Sequence, residues 1–206
     1  MTTSAAARPD LTTLRAQFFP FTSPSGFTIK PVSLDELREF LKLNFDAVFP
    51  DRGGHTPFQP DLARAEKMRP MMKLYEGCHH EHFLFYDRSG NPVGWHTGEA
   101  EDALTFYMRN TGVLPHAQNS GLYKVFFNQL ISYLTAIGYE RITSQHQATN
   151  RRILILKLKE GFDIAGMELT ERWGPLVKLV KLLPSDRREA FYKHFGMLDH
   201  MELKKS

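Results

Sequence analysis

Residues 27–32, Phe-Thr-Ile-Lys-Pro-Val, alternate apolar and polar positions with the period of two expected of a strand half-buried on one face. The period then changes. Leu37, Phe40, Leu41 and Val48 recur at helical spacing, so they line one face of a helix. Its start is also legible: Ser33 can cap it, Glu36 completes a capping box, and Val32 can staple onto Leu37. Residues 50–60 hold Asp51, the pair Gly53–Gly54 and three prolines, which is the chemistry of an exposed loop. Leu62, Ala65, Met68 or Arg69, Met72 and Tyr75 then predict a second helical region, which Pro70 should kink or split.

Residues 82–87 and 93–99 read as two strands of a hairpin whose turn is Asp-Arg-Ser-Gly-Asn-Pro, and residues 104–114 add a third strand. The longest apolar helical face is Leu122, Val125, Phe126, Leu130, Tyr133, Leu134 and Ile137, ended by Gly138. A strand at 141–147, a helix at 150–160 stopped by Gly161, strands at 162–170 and 174–184 and a polar helix at 185–195 complete the order. Residues 1–24 show no sustained period and read as a flexible N-terminal arm, which Phe18, Phe19 and Phe21 could tie down. Residues 25–206 then form a single domain with a short C-terminal helix. The layout is mixed α/β, with the strands on either side of helix 122–137 parallel through a right-handed crossover.

Composition narrows the class. A chain of 206 residues with 42% hydrophobic content buries one good core. The single cysteine, Cys78, forms no internal disulfide, which implies a reducing compartment. Residues 1–10 hold no apolar run of signal-peptide length and no stretch approaches a membrane span, so a soluble cytoplasmic protein with no membrane partner is expected. A net charge of +3, with the basic residues interleaved among 23 acids, argues against nucleic acid and suits a modest anionic ligand. A nucleic-acid reading would rest on Lys178, Lys181, Arg187 and Arg188 alone. No metal is expected: in Cys78-His-His-Glu-His82 adjacent ligands on a strand point to opposite faces, and no second paired set lies at finger-like spacing.

The candidate chemistry gathers in Val-Leu-Pro-His-Ala-Gln-Asn-Ser-Gly-Leu-Tyr, residues 113–123, where a strand runs through a polar turn straight into the longest helix. The first helical turn has unpartnered N–H groups and the positive end of the macrodipole, and Gly121 lacks the Cβ that would hold an anion away. Val113, Pro115, Gln118 and Gly121 resemble motif A of the GNAT N-acetyltransferases, V-x-P-x-x-[Q/R]-x-x-G-x-[G/A], in register. Asn150, Gly161 and Phe162 are similar to that superfamily's motif B, an Asn opening a helix that ends in Gly-Phe. The resemblance covers residues 27–183. Tyr123 departs from it, standing where Gly or Ala is usual, and so does Lys157, standing where many members place a tyrosine that protonates the leaving thiolate.

That resemblance implies a GNAT-like α/β fold: a mixed, mainly antiparallel sheet with a splayed parallel strand pair, flanked by helices. It implies acetyl-CoA as cosubstrate, its pantetheine arm hydrogen-bonding in the gap like a missing strand, and attack on the thioester by an acceptor amine. The cofactor would meet Val113, Gln118, Asn119, Ser120, Gly121, Leu122, Tyr123 and Asn150. Tyr123 would either narrow the cradle or point its ring into the core, and Asn150 is equally an N-cap. Arg151 and Arg152 could meet phosphates, though arginines at a helix start are more often solvated. The oxyanion donor would be a backbone N–H near Leu114. Lys157 or Tyr107 would assist the thiolate, although a lysine on helix 150–160 is usually solvated and a strand aromatic usually packed. A base is needed for an amine with a pKa of about 10.4, and residues 105–115 hold no carboxylate, which leaves Glu99, Glu101, His96 and His116. The acceptor would be an amine on a small molecule or a protein, and a homodimer stays open. The alternative is a GNAT-shaped CoA-binding or macromolecule-binding module without catalysis, motivated by Tyr123, Lys157 and the missing strand carboxylate.

Overall fold

The structure is a computed structural model of the full chain, and it describes residues 10–50, 61–171 and 173–196. The expected loop over 50–60 lies almost wholly outside the described residues. Eight strands form one sheet: β1 (Phe21–Thr22), β2 (Thr28–Pro31), β3 (His80–Tyr86), β4 (Pro92–Ala100), β5 (Thr105–Val113), β6 (Arg141–Gln147), β7 (Asp163–Thr170) and β8 (Gly174–Leu182). Their order is β1-β2-β3-β4-β5-β6-β8-β7. Every neighbouring pair is antiparallel except β5–β6, which is parallel. The crossover between those two is α4 (Leu122–Ile137), and the other helices are α1 (Leu11–Phe18), α2 (Leu34–Val48), α3 (Leu62–Glu76), α5 (Arg151–Lys159) and α6 (Ser185–Phe195).

Apolar side chains separate onto the two faces of the sheet. On one face Phe126, Phe127, Leu130 and Leu134 of α4 pack with Leu14 of α1, Phe83 and Phe85 of β3, Phe106 and Met108 of β5 and Leu179 of β8. On the other, Leu37 and Phe40 of α2 cover Leu84, Trp95 and Leu114. The start of α2 follows its capping box: the Glu36 N–H donates to Ser33 Oγ at 3.2 Å, and the Ser33 N–H donates to Glu36 Oε2 at 2.8 Å. Val32 joins Leu37 in the second cluster.

Two segments differ from the pattern. Within the stretch expected as an arm, Asp10 caps α1 by accepting from the Thr12 and Thr13 N–H groups at 2.9 and 3.0 Å. Leu14 and Phe19 are buried, and β1 pairs with β2. Two apolar anchors outweigh a polar composition. Pro70 does not split α3, which runs unbroken through it. Every residue of α3 is exposed, so water can reach the carbonyl that the proline leaves without its helical partner.

Candidate active site

The parallel ladder of β5 and β6 is three rungs long: Thr105↔Arg141, Phe106↔Ile142 and Tyr107↔Thr143. Beyond it β6 continues paired to β8 and β5 continues paired to β4, so the two strands part and leave a gap. The register explains why. Thr97 faces Asn110 but Glu99 faces Tyr107, which sets an extra residue into β5 near Met108 and Arg109. Such a bulge bends and twists its strand away from a neighbour.

Past the bulge, antiparallel alternation decides which backbone groups face the gap. The Leu114 N–H donates to Val93 O at 2.8 Å, so Leu114 and, two residues back, Gly112 turn toward β4. Thr111 and Val113 therefore turn their N–H and C=O groups into the gap. This corrects the expectation for Leu114, whose N–H is committed to the sheet. One residue of register, which no side-chain pattern near 105–115 discloses, separates the two assignments. The Val113 carbonyl accepts from Gln118 Nε2 at 3.0 Å, a side chain standing in for a missing strand donor.

At the mouth of the gap the chain makes a short 3-10 turn over Pro115–Ala117, and Asn119 and Gly121 take φ of 61° and 80° before α4 begins. Ser120 Oγ donates to Ala117 O at 2.7 Å and accepts from the Leu122 N–H at 3.4 Å. Gly121, the N-cap of α4, offers no side-chain cap, and a Cβ built there would meet nothing within 4 Å. The cradle faces open space. Arg152, in the first turn of α5, donates to Asn119 Oδ1 and so stands beside it. Asn150 caps α5, its Oδ1 accepting from the Ile153 N–H at 3.4 Å. A helix start whose N-cap glycine offers no side chain, a left-handed backbone there open to solvent and a guanidinium fit a phosphate-bearing ligand. Tyr123 leaves this cradle clear: its ring stacks on Phe127, 6.2 Å between centroids at 8°, against the core.

Beneath the end of the ladder lies Lys157, fully buried rather than solvated. Its Nζ is 3.1 Å from Met108 Sδ and sits over the rings of Phe162, Phe127 and Tyr123 at 4.4, 4.9 and 5.9 Å. Burial, and then the charge of Lys181, pulls its pKa down to about 7 against a smaller upward pull from Glu160. The helical period near 157 could have placed it inside, since it is four residues from Ile153 and five from Phe162. Two histidines share this interior. Burial and then Lys157 hold His146 at about 3, and burial holds the His96 imidazole well below its ordinary range. His96 Nδ1 contacts Thr111 Oγ1 at 2.7 Å, whereas its Nε2 has no partner among the described residues.

The opposite face of the sheet carries a cleft of about 260 Å³ at the same level, between Tyr75, Glu99, Tyr107, Arg109, Gln145 and Glu168. The Tyr107 hydroxyl donates to Gln145 Oε1 at 3.2 Å, and Gln145 Nε2 donates to Glu168 at 2.5 Å. Burial raises the Tyr107 pKa, which keeps the hydroxyl neutral. Glu99 is buried and held by both arms of the Arg109 guanidinium, which also donates to the Tyr75 hydroxyl at 2.8 Å. Both of its oxygens are thereby taken by the protein's own guanidinium. Glu101 accepts from Lys178 at 2.5 Å. Arg109, Gln145 and Glu168 were not singled out from the sequence, because three strands far apart in the chain bring them together. His116 is exposed on the 3-10 turn, away from this cleft.

Among the described residues no group of three or more His, Cys, Asp or Glu side chains is placed to hold a metal ion. Nor is any described helix long and apolar enough to cross a membrane.

Comparison with known proteins agrees with this geometry. A family profile described as Acetyltransferase (GNAT) family matches residues 46–156, more than half of the chain. Among solved structures, spermidine/spermine N-acetyltransferase SpeG from Vibrio cholerae in complex with manganese ions is similar. It is 16% identical, with a TM-score of 0.56 over 80% of this chain and 97% of that one. Spermidine N-acetyltransferase from Vibrio cholerae in complex with CoA and spermine is 15% identical, with a TM-score of 0.56 over 77% and 96%. The ribosomal-protein-S18-alanine N-acetyltransferase from Escherichia coli is 15% identical, with a TM-score of 0.54 over 76% and 94%. No curated protein sequence matches the chain. Likeness at such identities speaks to the fold, and the profile covers the gap, the cradle and Lys157's helix up to Leu156, so the chain belongs to the GNAT acetyltransferase family.

Proposed function

We propose that the protein transfers an acetyl group from acetyl-CoA to a primary amine by direct attack. One observation carries this reading: the open cradle at Gly121 leads into a strand gap that ends on opposite faces at Lys157 and Tyr107. When bound, acetyl-CoA supplies an acetyl group activated as a thioester. The N–H groups around Gly121, together with Arg152, hold its phosphates. Thr111 and Val113 offer backbone donors and acceptors to an extended ligand chain, and the Gln118 amide yields the Val113 carbonyl to it.

Glu168 and Lys157 divide the proton work between the two faces. An amine with a pKa of about 10.4 must lose a proton before it attacks. On the acceptor side the Glu168 carboxylate takes it, held in place by Gln145 Nε2, whose Oε1 in turn accepts from the neutral Tyr107 hydroxyl. Lys157 holds an exchangeable proton at Nζ, buried beside Met108, on the other side. A thiolate with a pKa of about 8.5 leaves without strong acid help, so a lysine in place of a tyrosine suffices. Asn150 acts first as a cap, and its amide nitrogen remains for a ligand carbonyl.

Titration of the protein with acetyl-CoA, followed by thiol release with a panel of amines, tests the reading. Saturable binding that is lost in Gly121→Glu, with acceptor-dependent thiol release in the wild type, is the expected result. A second reading, a binding module without turnover, draws on the close packing of Lys157 against Met108. Binding without thiol release from any amine would establish it.

A further inference from the structure

We infer that the acceptor is a polypeptide amine on a chain rich in acidic and apolar residues, seated along α3; this rests on the transferase reading above. The cleft on the Tyr107 face is the first observation. Its three carboxylates are not equally available: Glu99 is held by Arg109 and Glu101 by Lys178, while Glu168 carries only the Gln145 amide among the described residues. One carboxylate remains to seat one ammonium. A ligand with several ammonium groups would have to displace the protein's own cations to be neutralised.

The second observation is α3 itself. It is fifteen residues long and none of them is buried, yet it carries Leu62, Met68, Met71, Met72 and Leu74 at 54% to 84% exposure. A helix of this length is marginal in water without an apolar face to pack, so this one is built to be covered. Its last turn is continuous with the cleft, because the Tyr75 hydroxyl accepts from Arg109 inside it and its ring meets His80 edge-on at 5.1 Å. A chain whose amine lies at Glu168 and Tyr107 therefore passes directly onto the methionines. Flexible thioether side chains suit a partner whose side chains vary.

Charge selects the kind of chain. Arg64, Lys67, Arg69 and Lys73 outnumber Glu66 and Glu76 on α3, and the Arg69–Glu66 pair cancels itself. At about 3.6 residues per turn, Arg64 and Lys67 fall within the arc that runs from Leu74 through Met71 and Met68 to Met72. Cations set among the apolar side chains fit a peptide carrying acidic and apolar residues together. A membrane-surface helix would segregate the two, and a second copy would bring like charges face to face.

The test compares acetyl transfer by the full chain to three acceptors: free-N-terminus decapeptides rich in Asp, Glu, Leu and Met; matched decapeptides with Lys for the acids; and a linear triamine. The acidic set is expected to be used with a kcat/KM at least about tenfold above the others, and Met71→Glu with Met72→Glu to raise its KM about tenfold. Acetyl-CoA affinity and circular dichroism should stay as in the wild type. Preference for the triamine or the lysine set, or an unchanged KM in the double variant, would overturn the inference. So would liposome binding or dimerisation abolished by the same variant, since α3 would then have another occupant. Failure of acetyl-CoA binding, or of transfer to every amine, would instead overturn the transferase reading on which the inference stands.

Discussion

Lys157 Nζ lies 3.1 Å from Met108 Sδ, one residue past the last rung of the β5–β6 ladder, Tyr107↔Thr143. A charged amine there has a thioether and three aromatic rings for company, and burial sets its pKa near 7. If its ammonium is the form that assists the thiolate, kcat is full below about pH 7 and falls as the pH rises through that value. Lys157→Met should lower kcat about tenfold or more and remove that alkaline limb. A pH profile unchanged in shape in the variant would leave Lys157 with a structural role.

The same burial makes a prediction about stability. Lys157 has a folded pKa of about 7 against 10.5 for the free side chain, so between those values the unfolded state binds the extra proton. Stability therefore rises with pH across that window and is lowest below it. Relative to Lys157→Met, the wild type should gain about 2 kcal/mol between pH 7 and pH 9. Urea unfolding at both pH values checks the sign. A difference that stayed constant would mean that the lysine keeps its charge when folded.

Tyr123 was the departure that put the cradle in doubt, and its ring is stacked on Phe127. Tyr123→Ala should accordingly cost about 3 kcal/mol of stability through lost packing while acetyl-CoA affinity changes by less than about threefold. Tighter binding by more than tenfold would show that the tyrosine narrows the site after all.

What was legible in advance was whatever short-range chemistry decides. The Ser33–Glu36 capping box, the apolar face of α4 and the Gly138 stop are all present as read. The cradle at Gly121 was legible for the same reason, because a turn, a glycine and a helix start are neighbours in the chain. The gap was legible only through resemblance to a family, since its cause is one extra residue in β5 opposite Thr97 and Glu99. That same residue count moves the gap-facing donors from Leu114 to Thr111 and Val113. The Arg109–Glu99 pair and the Gln145–Glu168 link bridge strands by 10 and 23 residues, and no local period announces them. In residues 1–24, read as an arm that Phe18, Phe19 and Phe21 could tie down, Phe19 is buried and Phe18 and Phe21 pack against the same core, whereas α1 has no sustained apolar period to announce it.

Asn150 carries two roles that separate cleanly. Loss of its cap in Asn150→Ala should cost about 1 kcal/mol, since Oδ1 accepts from Ile153 at the start of α5. A fall in acetyl-CoA affinity in Asn150→Ser relative to the wild type would add ligand contact, because serine keeps the cap and lacks the amide. Wild-type affinity in Asn150→Ser would leave the residue a cap alone.

The backbone assignment can itself be tested with proline, which removes an N–H and little else on an edge that lacks a ladder partner. Leu114 donates to Val93 at 2.8 Å, so Leu114→Pro breaks a sheet bond and should lower the melting temperature by several degrees. Val113 faces the gap, where its N–H has no strand to meet, and Gly112 before it tolerates the constraint that proline places on its neighbour. Val113→Pro should therefore fold with a melting temperature near the wild type. Its kcat/KM for acetyl transfer should nonetheless fall by about tenfold to a hundredfold, as expected when a backbone donor is withdrawn from developing charge or from the bound ligand. The opposite ranking, a stable and active Val113→Pro beside a stable but inactive Leu114→Pro, would return the donor to Leu114 and shift the register of the whole gap by one residue.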